Sequence, residues 1–327
     1  MSIDVLCLRP LADFERVGAT PPGALQIAYR GPADPDVPDL MKQARAMVIP
    51  AVGPKLAPAL FENGCAVRFV QVTGAGLDRL DAETLKHAGI AVANVPGGSN
   101  SALAEYSLTT ASLLLRRFAW SDAEVRKGNY AEFRARMMKD NLRGIDGLLV
   151  GIVGFGVIGR AVAEAFRGRS ARICYYDPMP ANPEAAKALD AKAVSLEELL
   201  KTADVVSLHL PLLPATRGLI GARELASMKP GAILIQASRG GIVDEAALAE
   251  SLQSGHLGGA AVDVYGTEPP AGDNPLFALT GEAAHRVLFT PHIAGVTRQS
   301  AAFLMRSAWQ NIERVLIAKE PPLNRVY

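Results

Sequence analysis

The sequence predicts an α/β protein of two domains, each built on a parallel sheet with helices on both faces. Three observations lead there. The chain has 327 residues, and about 150 residues make one domain. Short β-branched runs alternate with amphipathic stretches, separated by Gly, Pro or Asn, which is the pattern of a sheet covered on both sides. The alternation also comes as two series, one in the first hundred residues and one beginning at Leu148.

In the first series the strand candidates are residues 3–8, 25–29, 47–50, 67–72 and 90–94, with helical segments at 38–46 and 81–88. Residues 101–118 carry Leu103, Leu108, Ala111, Leu114 and Leu115 at helical spacing and read as one long helix. The polar stretch 119–147 has little periodicity and is expected to be an arm or a linker. The second series offers strands at 148–153, 172–176, 205–210, 232–236, 260–264 and 287–290. Helices fit between them at 158–167, 196–202, 223–228 and 245–253. Six strands in two βαβαβ halves are what a dinucleotide-binding Rossmann sheet requires. Residues 298–318 form a last helix, and no strand is expected after it.

Composition narrows the class. With 49% hydrophobic and 20% charged residues the chain is globular. A net charge of +1 and the lack of like-charge runs give no reason to expect a nucleic-acid or membrane partner. The basic residues Arg134, Arg136, Lys139 and Arg143 are mixed with Glu132 and Asp140 and read as a solvated helix face. Cys7, Cys65 and Cys174 lie far apart, so neither a disulfide framework nor a bound metal is expected. The N-terminal stretch meets Asp4 before any apolar run, and the uncharged run 88–104 is broken by Pro96, Gly97 and Gly98. Neither a secretory signal nor a membrane span, which needs about 20 apolar residues, is expected. A cytoplasmic protein is.

Gly154-Phe-Gly156-Val-Ile-Gly159 has the spacing G-x-G-x-x-G. By itself the spacing is weak, because a chain this rich in glycine matches it by chance about a quarter of the time. Its setting is stronger: an apolar strand precedes it, a helix follows, and Asp177 closes the next strand. The glycines permit a tight turn, close approach of a pyrophosphate and close packing of helix on strand. The helix N-terminus then offers free N–H groups to the phosphates. Asp177 would accept from both ribose hydroxyls. Pro178 and Met179 supply no cation for a 2′-phosphate, so NAD is expected rather than NADP. The bland readings are a ligand-free βα turn and a strand-end turn residue.

Of five histidines, His87, His256 and His285 lie in polar surroundings and are expected at the surface. His209 and His292 close two strands of the second series, and in open α/β sheets ligands bind outside the carboxyl ends of strands. Histidine is also the commonest proton-handling group near neutral pH. Pro211 and Pro214 stiffen the loop after His209, which suits a wall or a cofactor contact. Two more strand ends carry charge, Arg239 in SRGG and Asp263 with Glu268 in DVYGTEPP. An arginine forks a carboxylate, and a carboxylate beside histidine fixes its tautomer. The competing readings are a structural Arg239–Asp244 pair and a solvated Glu268.

Taken together, VTGAGLDRLD (72–81), NVPGGSNSALAEYSL (94–108), GIVGFGVIGR (151–160), HLPLLPATRGLI (209–220), ASRGGIVDEAAL (237–248), AVDVYGTEPP (261–270) and TPHIAG (290–295) resemble the D-isomer-specific 2-hydroxyacid dehydrogenases. The likeness is closest to members acting on 3-phosphoglycerate, hydroxypyruvate or glyoxylate. The resemblance implies hydride transfer between nicotinamide and C2 of a small 2-hydroxy or 2-oxo acid. It implies a flavodoxin-like substrate domain, 1–100 completed by 296–327, and a Rossmann NAD domain, 101–295. Arg239 would bind the substrate carboxylate and carbonyl, His292 would be the acid/base, and Glu268 would support it. Backbone at Gly74, Ala75 and Gly76 would hold the carboxylate. Gly154, Gly156, Val157, Ile158 and Gly159 would meet the pyrophosphate, and Asp177 the ribose. His209, Leu210, Pro211 and Thr216 would line the adenosine side, while Ala237, Ser238, Asp263 and Gly295 would lie near the nicotinamide. Residues 119–147 would serve a homodimer. KGNYAEF lacks the tryptophan usual after K-x-G, and Ser99-Asn100-Ser101 departs from the phosphoglycerate pattern. With the sequence ending at Tyr327, no C-terminal regulatory domain and no serine feedback are expected. The rival from another class is an NAD-responsive, corepressor-like binding protein, which needs the glycines and Asp177 but not Arg239, Glu268 and His292 together.

Overall fold

The computed structural model describes residues 3–62, 64–179 and 182–327. The chain divides into two compact units, Met1–Ser99 with Val296–Tyr327, and Asn100–Gly295. In the first, β1 (Val5–Cys7), β2 (Ile27–Tyr29), β3 (Ala46–Ile49), β4 (Phe69–Val72) and β5 (Ala91–Ala93) form one sheet in the order β2-β1-β3-β4-β5, every pair parallel. That is the flavodoxin-like order. Its helices are α1 (Leu11–Arg16), α2 (Val37–Met41) and α3 (Ala82–His87).

The second unit opens with α4 (Asn100–Leu115), α5 (Phe118–Arg126) and α6 (Tyr130–Lys139). Then come β6 (Leu149–Val153), α7 (Val157–Arg167), β7 (Arg172–Tyr176), α8 (Pro183–Ala188), β8 (Ala191–Ala193), α9 (Leu196–Thr202) and β9 (Val205–Leu208). After these follow α10 (Ala222–Ser227), β10 (Ile233–Gln236), α11 (Glu245–Gln253), β11 (Gly259–Val262) and β12 (Val287–Phe289). The sheet order is β12-β11-β10-β9-β6-β7-β8, all parallel. It is a Rossmann sheet with one strand more than the six expected. The chain then returns to the first unit as α12 (Arg298–Leu316).

Alternating strand residues feed opposite faces of each sheet, which is why the strands are apolar throughout rather than every second residue. In the second unit Val153, Val206, Leu208, Leu234 and Val262 pack under Leu199, Leu225 and Leu248. Their neighbours Val150, Ile152, Val205, Ile233 and Ile235 pack under Leu103, Ala111, Val162 and Phe166 of α4 and α7. In the first, Leu6, Met47, Val70 and Val72 meet Val37, Met41 and Leu85. Val5, Val48 and Phe69 meet Phe14 of α1 and Met305, Trp309 and Ile312 of α12.

Four features depart from the sequence reading or add to it. The stretch 119–147 holds two helices, α5 and α6, separated from α4 by Arg117 in the left-handed region (φ 52°); their apolar faces, Trp120 and Phe133, are too narrow to give a period. The helices α1 and α8 and the edge strand β8 are short and largely exposed, and went unread. Arg134 and Lys139 are exposed on α6 as expected, but Arg136 and Arg143 are partly covered and paired. Arg136 lies over the Trp120 ring (4.5 Å) and pairs with Glu282 at 2.6 Å, and Arg143 pairs with Asp204 at 2.9 Å. The last residues form no strand, yet Arg325 makes an antiparallel bridge to Ala93 beside β5.

Candidate active site

The glycine turn follows β6. Gly154 has φ +93°, and a Cβ there would sit 2.4 Å from the His209 carbonyl oxygen. A Cβ on Gly159 would sit 2.0 Å from the Gly154 carbonyl oxygen. Both glycines are demanded by the fold itself. Gly156 is not: its φ is −70° and nothing lies within 4 Å of the Cβ position. The chain leaves that space open where α7 begins and its first N–H groups have no helical acceptor, which is the geometry of a pyrophosphate cradle. At the end of β7, Asp177 accepts from Phe155 N–H at 2.7 Å and from Met179 N–H at 2.9 Å, one on each oxygen. Each oxygen keeps a lone pair for a ribose hydroxyl. These residues fit NAD.

Past β9, His209 donates its backbone N–H to Val153 O at 2.7 Å, and its Nε2 lies 2.8 Å from Ser207 Oγ. The residue keeps some accessible surface, but the atoms crowded round the ring push its pKa down to about 4, so it is neutral near pH 7. Leu210 is buried and Pro211 exposed. Thr216 is buried, with its hydroxyl donating to Pro211 O (2.7 Å) and accepting from Leu213 N–H (2.8 Å), so it shapes that loop.

The three charged strand ends follow β10, β11 and β12. Gln236 closes β10, donating from Nε2 to Arg239 O (2.9 Å) and accepting from Ser238 Oγ (2.7 Å), which shapes the turn carrying Arg239. Arg239 donates to Ser238 O at 2.8 Å, and Ala237 and Ser238 are buried. Gly240 packs against the neighbouring loop so closely that a Cβ would fall 1.7 Å from Tyr265 O. Tyr265 N–H in turn donates to Glu268 Oε1 (3.1 Å), and Glu268 Oε2 lies 2.7 Å from His292 Nδ1. Arg239's turn, Glu268 and His292 are thus linked edge to edge. The His292–Glu268 pair leaves Nε2 as the ring atom for a substrate, and both side chains are about a quarter exposed, 24% and 30%.

Asp263, read from the sequence as a nicotinamide neighbour, is 1% exposed and accepts from Thr290 Oγ1 (2.6 Å), Ile293 N–H (2.8 Å) and Ala294 N–H (2.9 Å). It fastens the loop of His292 and Gly295. In the first unit Gly74, Ala75 and Gly76 follow β4, with Gly74 O accepting from Val95 N–H (2.9 Å) and Ala75 O from Asn94 Nδ2 (2.8 Å). Gly74 needs its small size, since a Cβ there would be 2.7 Å from that of Ala51.

Asp244 caps α11, accepting from Ala246 and Ala247 N–H at 3.0 Å. Of the histidines expected at the surface, His87 is exposed. His256 is half-buried, and His285 stacks on Trp120 with ring centroids 5.1 Å apart. Sequence reasoning passed over Gln236, Thr290, Tyr265 and Tyr106, which shape this edge of the sheet. A polar residue closing an apolar strand was the available signal for Gln236 and Thr290. For Tyr106 there was none.

Known proteins place this geometry. The model of the D-isomer specific 2-hydroxyacid dehydrogenase NAD-binding domain matches residues 108–294. The (S)-sulfolactate dehydrogenase of Chromohalobacter salexigens is 39% identical over 250 residues, 76% of this chain and 78% of that protein. A D-3-phosphoglycerate dehydrogenase of Archaeoglobus fulgidus is 36% identical over 234 residues, 72% of this chain but 42% of that protein, so the match spans less than half of that longer relative. The crystal structure of a glyoxylate reductase from Paecilomyes thermophila superposes with a TM-score of 0.83 at 27% identity, covering 99% of this chain and 98% of that one. With its parallel sheets, its open glycine turn and its paired histidine and glutamate, the chain belongs to the D-isomer-specific 2-hydroxyacid dehydrogenase family.

Proposed function

We propose that the chain is an NAD-dependent dehydrogenase that interconverts a small D-2-hydroxy acid and its 2-oxo acid. The His292 Nδ1–Glu268 Oε2 contact of 2.7 Å carries the reading, because an imidazole held by a carboxylate is what proton transfer to a 2-oxo oxygen requires and coenzyme binding alone does not. Bound NAD supplies or accepts the hydride at C2. The chain's residues do the rest. Arg239 anchors the substrate carboxylate and polarises the 2-oxo group. His292, protonated, gives its Nε2 proton to the carbonyl oxygen during reduction and takes it back during oxidation. Glu268 accepts from Nδ1–H, fixing the tautomer and stabilising the charged ring. Backbone at Gly74, Ala75 and Gly76 holds the carboxylate, and Asp177 selects NAD through the ribose.

The candidate substrates are 3-phosphoglycerate, hydroxypyruvate and glyoxylate. The reading extends to a cytoplasmic homodimer. Phe118, Val125, Tyr130 and Met138 on α5 and α6 are exposed apolar side chains that a second copy would cover, and Cys7, Cys65 and Cys174 are free thiols. No helix among the described residues is long and apolar enough to cross a membrane. The test is NADH oxidation with 3-phosphohydroxypyruvate, hydroxypyruvate, glyoxylate, pyruvate and branched 2-oxo acids, with the chirality of the product determined. Turnover to a D-product supports the assignment. Tight NADH binding without turnover of any 2-oxo acid rejects it in favour of an NAD-responsive binding protein.

A further inference from the structure

We propose that Tyr106 and Thr290 are positioning residues for this reaction: through Asp263 they form a hydrogen-bonded lock that holds the His292 loop. The inference rests on the dehydrogenase reading above. It begins with the backbone. His292 has φ +54°, a left-handed conformation that costs a residue with a Cβ about 1–2 kcal/mol. A residue in that position stays there only if its surroundings fix it.

The fixing group is Asp263. Its buried carboxylate accepts from Thr290 Oγ1 and Ile293 N–H on one oxygen and from Ala294 N–H on the other, while its own backbone oxygen accepts from His292 N–H at 2.9 Å. Thr290 before the imidazole, and Ile293 and Ala294 after it, are thereby tied to one side chain. Thr290 has a single hydroxyl proton, and a carboxylate can only accept, so that proton goes to Asp263. The Tyr106 hydroxyl, 2.8 Å from Thr290 Oγ1, must therefore be the donor in that contact. Tyr265 adds a second hold, donating from its hydroxyl to Thr290 O at 3.1 Å. Burial raises the pKa of both tyrosines, which keeps them neutral donors.

The placement along the chain gives the lock its purpose. Tyr106 lies in the second turn of α4, which starts at Asn100 where the chain enters this unit. Ala294 lies just before Gly295, where the chain leaves it. Both passages are tied, α4 through Thr290 and the exit through Ala294 N–H, to the buried carboxylate that fastens the His292 loop, so the lock joins the two chain ends of this unit.

The experiment compares Tyr106→Phe, Thr290→Val, Thr290→Ser and the double variant Tyr106→Phe/Thr290→Val. Misplacing a catalytic group by about 1 Å costs on the order of 100-fold, so Thr290→Val should lower kcat by about that factor and Tyr106→Phe by about tenfold. KM and the NADH dissociation constant should stay within about twofold. Thr290→Ser, which keeps the hydroxyl, should restore kcat to within about threefold. The double variant should be no worse than Thr290→Val alone, because Tyr106 acts through that hydroxyl. A readout independent of turnover is amide exchange at Ile293 and Ala294, which should quicken in Tyr106→Phe and Thr290→Val and not in Thr290→Ser. Unchanged exchange and kcat in Tyr106→Phe, or losses that multiply in the double variant, overturn the lock. Should the unaltered chain turn over no 2-oxo acid, the dehydrogenase reading fails while the exchange comparison still decides the lock.

Discussion

Replacing His292 by Asn should remove the proton donor and leave the coenzyme site alone. General acid–base help is worth about 10²–10⁴-fold, so kcat should fall by that range in steady-state assays while NADH titrations stay unchanged. The glycine turn permits a sharper contrast. Gly154→Ala forces a Cβ to 2.4 Å from a carbonyl at φ +93° and should destabilise the fold by several kcal/mol. Gly156→Ala meets nothing within 4 Å, so its melting temperature should match the parent while NAD affinity drops. Calorimetry with coenzyme titration separates the two; equal affinities for parent and Gly156→Ala would place the pyrophosphate elsewhere. At this scale charged groups at strand ends were legible in the sequence, as with Arg239, Glu268 and His292, and the structure brings the last two into contact. The sequence was silent on Tyr106, whose partner Thr290 lies 184 residues away, a distance no periodicity spans.

Elements with both faces covered were legible because burial made them apolar without interruption: β6 to β12 were expected within a few residues, apart from β8. That strand, Ala191–Ala193, is exposed at two of its three positions, so the hydrophobic signal was missing. Likewise α5 and α6 bury one aromatic each, Trp120 and Phe133, and the rest of their surface reads as polar linker. By contrast α12 is amphipathic and carries Trp309 and Ile312 into the first unit's core at 2% and 0% exposure. Trp309→Ala should cost about 3–5 kcal/mol, measurable as a lower urea midpoint. A loss below about 1 kcal/mol would mean that the helix is not integral to that core.

For the molecule as a whole, pH stability carries the mark of His209. Its folded pKa of about 4 lies below the ordinary value of 6.5, so the unfolded chain takes up the proton first as pH falls. The fold then loses stability between about pH 6.5 and 4, by up to about 3 kcal/mol from this residue, and gains nothing from it above that window. Unfolding midpoints across that range should slope less in His209→Gln; an identical slope would show that the ring is hydrated. The two sheets were both legible as parallel and double-faced, whereas the return of residues 296–327 was legible only through the family resemblance, because no local pattern tells a terminal helix which sheet it will cover. That return has a consequence for biosynthesis. The middle portion is an uninterrupted insert that can fold as soon as it emerges from the ribosome. The leading portion must wait, one face bare, until residues 296–327 have been made. Stalled or prematurely stopped translation would thus release a finished nucleotide-binding half attached to an unfinished and aggregation-prone one.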